Sequence, residues 1–248
     1  MQSGGAPRRL DDAAPLQSTT VRINVRSVAT VLWSITATII VLGVFRQISV
    51  YRLGPDGPWG SLRLINLDAE MTIASWYSST LMMIAALLLI LSGAAARTTR
   101  DGNRWHWWAL ALIFIYMSLD ETVQLHELAG INLPGRENFP AIFHFAWVVL
   151  AAPLMLVVGL AFVPFLLRLP RRIAGLIVLS GLIYVAGAFG MELVAGYIVV
   201  EHGPKTAAYY ASVVAEEGLE LAGLTTFVFA LLAMQAQRPQ PMRLTVTR

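Results

Sequence analysis

Cysteine is absent from the 248 residues. That excludes disulfides, thiolate metal sites and cysteine nucleophiles. Charge is scarce: 13% of residues are Asp, Glu, Lys or Arg, 56% are hydrophobic, and mean hydropathy is +0.64. Soluble domains carry about 25% charged residues, so this is a membrane composition. Sharp catalytic signatures are missing too. There is no HExxH, no GxSxG, no Walker or dinucleotide fingerprint, and no Glu-x-x-His pair of the di-iron bundle kind. The net charge of +3 and pI near 9.5 would suit a nucleic-acid binder. The basic residues flank apolar runs, however, so they read as membrane-topology signals and no nucleic-acid partner is expected.

Six apolar runs are long enough to span a bilayer, which takes about 20 residues. They cover 28–48, 73–96, 105–125, 139–167, 173–200 and 208–235. The expected fold is all-α: a polytopic bundle of six transmembrane helices over 26–237. Polar tails at 1–25 and 238–248 flank it, the first read as disordered and without the apolar stretch of a signal peptide. With the N-terminus in the cytoplasm, thirteen basic residues fall inside and five outside. The expectation is therefore an inner-membrane protein with both termini cytoplasmic.

Apart from Arg46 at the outer margin of the first run, no Lys or Arg lies inside these runs, yet six carboxylates do: Asp120, Glu121, Glu192, Glu216, Glu217 and Glu220. A charge at the bilayer centre costs about 2.5–3.5 kcal/mol on an insertion scale. Six of them imply a site or an internal means of neutralisation. On a straight third span, Asp120, Gln124 and Glu127 fall within about 60° of one another, Glu121 lies about 100° from Asp120, and His126 points elsewhere. On the sixth, Glu216, Glu217 and Glu220 share an arc of about 100°. By helical rise all belong to the outer half of the bilayer or its middle, as does His144 near the start of span four. The candidate metal or cation ligands are Asp120, His144, Glu192, Glu216, Glu217 and Glu220, with Glu121 as candidate general base. Gln124, His126, Glu127, Asp68 and Glu70 form a second tier. A divalent ion is the one cofactor such a donor set invites.

Three segments carry a resemblance. They are Asn66-Leu67-Asp68-Ala69-Glu70 leading into Trp76-Tyr77-Ser78-Ser79, Ser118-Leu119-Asp120-Glu121 through His126-Glu127, and Glu216-Glu217-Gly218-Leu219-Glu220. They resemble a group of bacterial multi-pass membrane proteins of unknown function, a likeness that implies topology and no chemistry. The Ser, Asp and multiple-His pattern of intramembrane zinc hydrolases is not matched.

Three functions fit. The first is a cation-binding or proton-coupled protein of the small-transporter kind, favoured by buried acids without counter-ions. The second is a metal-dependent enzyme acting on a lipid-like substrate. The third is a non-catalytic accessory subunit whose acids meet the spans of another membrane protein or a second copy of this chain. Besides the bilayer, the expected ligand is a cation or a lipid-like molecule.

Overall fold

The computed structural model describes residues 24–57, 59–98 and 102–238. The expected tails lie almost wholly outside the described residues. Eight α-helices follow in order: α1 Val25–Leu53, α2 Ile73–Thr98, α3 Arg104–Val123, α4 Leu125–Ile131, α5 Trp147–Arg168, α6 Arg171–Val185, α7 Glu192–His202 and α8 Ala207–Ala236. A π-helical segment, Ala186–Met191, joins α6 to α7. The described residues contain no strand.

Local chemistry sets the boundaries. Asn24 Oδ1 accepts the N–H groups of Arg26 and Ser27 at 3.0 and 3.2 Å, capping α1. Gly54 ends that helix at φ +82°, where only glycine is free of strain. At the head of α2, Thr72 N–H donates to Ser75 Oγ (2.9 Å) and Ser75 N–H to Thr72 Oγ1 (3.3 Å), the reciprocal logic of a capping box. Thr206 Oγ1 accepts Tyr209 N–H at 3.2 Å and starts α8.

Five helices are long and apolar enough to cross a membrane: α1, α2, α5, the α6–α7 rod Arg171–His202, and α8. A sixth is added if α3 and α4, bent by 68°, count as one span. Two expected spans are corrected. The run 105–125 is not one straight helix, because Gln124 adopts a left-handed conformation (φ 58°, ψ 42°) and stops α3. The run 139–167 becomes α-helical only at Trp147. Before it, Arg136–Asn138 and Ala141–Phe143 form single 3-10 turns. Pro140, at ψ 151°, holds the chain extended there and has no N–H to donate.

The centre of the bundle is α8, which packs on α1, α2, α6, α7 and the π segment. Leu221, Leu224, Val228 and Leu231 of α8 share a core with Leu81, Met82, Ala85 and Leu89 of α2. Between membrane helices, close packing and polar bonds replace the hydrophobic effect. Thr36 meets Thr225 at 2.9 Å, Tyr77 Oη donates to Leu32 O at 2.9 Å, and Gln235 Nε2 donates to Ser92 Oγ at 2.7 Å. Each such bond contributes about 0.6–2 kcal/mol. Glycines set the α8 approach: a Cβ on Gly223 would stand 2.7 Å from Tyr184 N, and one on Gly187 would stand 2.8 Å from Glu216 O. The apolar core thus fills the half of the bundle near the chain ends, and the acids occupy the half near the α1–α2 loop.

Candidate functional site

A cleft of about 440 Å³ opens at the α1–α2 loop end of the bundle. Six carboxylates line it: Asp68 and Glu70 from the segment before α2, Glu127 from α4, Glu192 from α7, and Glu216 and Glu217 from α8. Gln124, Ser75, Tyr209 and the apolar Leu67, Phe145 and Val213 complete the polar wall and floor. No Lys or Arg is among its lining residues. Arg46 of α1, within electrostatic reach of Asp68, turns its donors to the loop instead. Its guanidinium donates to Leu62 O and Gly60 O at 3.2 Å each and to Asn66 Oδ1, tying down the loop. Among the described residues the one ion pair is His126–Asp120.

The break at Gln124 reorganises what helical spacing implied. Gln124 N–H donates to Asp120 O at 2.7 Å, closing α3. The chain then turns, and Asp120 Oδ1 accepts His126 N–H at 2.8 Å while Oδ2 meets His126 Nδ1 at 2.7 Å. His126 therefore does not point away from the acids; it is clamped to Asp120. The carboxylate also satisfies a free N–H at the start of α4, where negative charge is favourable. Gln124 and Glu127 leave the straight-helix stripe and reach the cleft from the bend, where Gln124 and Glu70 line the same wall.

Trp147 joins the two sides. Its Nε1 donates to Glu192 Oε1 at 2.8 Å. Its ring lies edge-on to His126, centroids 4.9 Å apart, and to Phe189 of the π segment at 5.1 Å. Gly130 lets α4 come this close, since a Cβ there would stand 2.8 Å from Trp147 N. Across the cleft the Glu192 carboxyl is within electrostatic reach of Glu216. Two carboxylates facing one cleft repel unless a proton or cation lies between them. Glu217 is within electrostatic reach of Glu121, Glu70 and Asp68. Glu220 lies one turn deeper, against the π segment: a Cβ on Gly187 would stand 3.0 Å from its Cγ.

The remaining candidates divide. Glu121 lies not in the acidic cleft but in a neighbouring groove between α2 and α3. His144 is exposed, packs its Cβ toward Gly196 of α7, and does not line the cleft. Among the described residues, no three His, Asp or Glu side chains form a group that could hold a metal ion. The acids are spread around the cleft walls rather than focused on a point. Tyr209 and Trp147 were not legible as site residues. Tyr209 Oη donates to Asp68 Oδ1 at 2.7 Å, closing the rim between α8 and the loop before α2. Outside the spans, burial pushes the Glu70 carboxyl above the ordinary range, while the neighbouring Gln124 amide opposes the shift.

The class is an all-helical bundle, with five or six helices apolar enough to cross a membrane and an acid-lined cleft at one end. The chain belongs to the family described as "Domain of unknown function (DUF8692)", which matches residues 25–234. All three segments that suggested kinship fall within that range. No curated protein and no solved structure matches the chain.

Proposed function

We propose that the cleft binds protons or a small cation, and that the protein is a proton- or cation-coupled membrane protein of the small-transporter kind. The observation that carries this is six carboxylates around a cleft of about 440 Å³ with no Lys or Arg among its lining residues. Asp68 and Glu127 are exposed at the rim and the other four half-buried, and crowded acids without a lining counter-ion recruit protons or cations. The spread of the acids favours a shared proton network, or a hydrated or organic monovalent cation, over a dehydrated metal held by three or more side chains at once. The excess of basic residues in the segments on the termini's side supports a reading with the cleft mouth outside and both termini in the cytoplasm.

Two measurements test this. Thermal unfolding of the purified protein is followed against Na⁺, methylammonium, Ca²⁺, Mn²⁺ and pH, beside a Glu216→Gln, Glu217→Gln double variant. The expected result is a cation- or proton-dependent rise in Tm that the double variant lacks. A Tm indifferent to every cation and to pH would sink the reading. For orientation, the cysteine-free chain takes a single Ser61→Cys, which an impermeant maleimide should label from outside intact cells.

A further inference from the structure

Beside the acidic cleft, a second hollow of about 470 Å³ lies between α2 and α3 and faces away from the bundle centre. Trp76 and Met83 on its wall are 66% and 49% exposed, the exposure expected of side chains that meet lipid. Its hydroxyls are already used. Thr80 Oγ1 donates to Trp76 O and Thr122 Oγ1 to Ser118 O, both at 2.8 Å, and Ser79 pairs with Ser118 at 2.8 Å. Hydroxyls satisfied within and between the helices ask nothing of a ligand, so these walls behave as apolar surface. One polar demand remains: Glu121, which no base pairs among the described residues.

We infer that this groove binds a single-chain amphiphile with a cationic amine head, its tail along Trp76 and Met83 and its ammonium at Glu121. The argument is charge complementarity on a lipid-facing apolar groove. An alkyl chain fits the walls, and a half-buried carboxylate without a basic partner is satisfied by a proton or by a cation, of which an ammonium on an alkyl chain is the one that also uses the apolar walls. The volume lies within the range of small-molecule sites, about 300–1,000 Å³, sized for one chain rather than two. Ser75 lines both hollows, so the head group would sit one side chain from the acidic cleft. Glu121 is within electrostatic reach of Glu70 and Glu217 beyond that partition. The inference rests on reading the cleft as a cation site and names an amphiphilic amine as the class of cation delivered from the bilayer.

The test uses the full chain in phosphatidylcholine nanodiscs and 12-bromododecylammonium, whose bromine quenches nearby tryptophan. The signal is the quenching that Trp76→Phe removes. Saturable quenching is expected, about tenfold weaker for bromododecanol and bromododecanoate and about tenfold weaker in Glu121→Gln. Thr122→Phe, an exposed position on the groove wall, should block the amine while leaving the methylammonium or pH effect on Tm intact. Equal quenching by the alcohol, or no change in Glu121→Gln, overturns the inference. If the amine binds selectively but no small cation or proton shifts Tm, the cleft reading fails and the groove stands. If small cations act and the amine shows no preference, the groove inference fails alone.

Discussion

Asp120 has two tasks at once, and its replacement should separate them. It accepts the backbone N–H of His126 and pairs with that residue's imidazole. Asp120→Asn keeps an acceptor for the backbone but loses the charge; Asp120→Ala loses both. The alanine variant should cost about 1–2 kcal/mol of stability, the usual loss for a removed cap, and the asparagine variant less, both read by thermal or denaturant unfolding. Glu70 supplies a pH dependence. Its carboxyl is raised in the folded protein by burial, so the folded state holds the proton more tightly than the unfolded state does. The stability it contributes is full below the unfolded value, about 4.3, and is lost as pH rises through the raised folded value. Tm should therefore fall over that window in the wild type and fall less in Glu70→Gln. A Tm–pH curve unchanged by the substitution would contradict the assignment.

Two helical irregularities shape the site, and each makes its own prediction. Gln124 sits at φ 58°, a conformation that costs a non-glycine residue about 1 kcal/mol or more. Gln124→Gly should preserve or raise stability while removing the amide that faces Glu70; Gln124→Val should lower it by more than 1 kcal/mol, roughly. If the glycine variant folds well and loses the cation effect on Tm, the side chain rather than the bend matters to the cleft. The π segment is the second irregularity. Gly187→Leu would drive a side chain into Glu216 O and the Glu220 backbone and side chain. It should destabilise by about 1–3 kcal/mol and displace the carboxylates of α8, visible as loss of the cation response. Hydropathy located the spans because bilayer thickness sets a minimum apolar length. It could not locate these breaks. A left-handed glutamine carries no compositional mark, and a π segment of Ala, Gly and Phe reads like any apolar helix. The pairing of His126 with Asp120 was hidden for the same reason, since helical angles apply only to an unbroken helix. Trp147 and Tyr209 join the site through neighbours 45 and 141 residues away, and no local pattern encodes such pairs.

At the scale of the whole molecule the carboxylates were visible as a set because their sequence cost is high wherever they point. Their convergence from α4, α7, α8 and the loop before α2 is a product of packing. The result is a bundle of unequal halves: an acid-lined cleft near the loops, and a dry core of Leu81, Met82, Leu89, Leu224, Val228 and Leu231 towards the chain ends.

That inequality has an electrical meaning. A membrane potential drops across insulating material, and here the insulating layer is the apolar core rather than the cleft. On the proposed reading, a cation entering from the loop side would reach Glu217 after crossing little of the field. A charge moved through the full field gains or loses about 2.3 kcal/mol per 100 mV, roughly a forty-fold change in affinity. Occupancy of the cleft from the loop side should change by far less than this between 0 and about −100 mV in proteoliposomes. Any movement onward past Leu221 and Leu224 should carry nearly all of the voltage dependence.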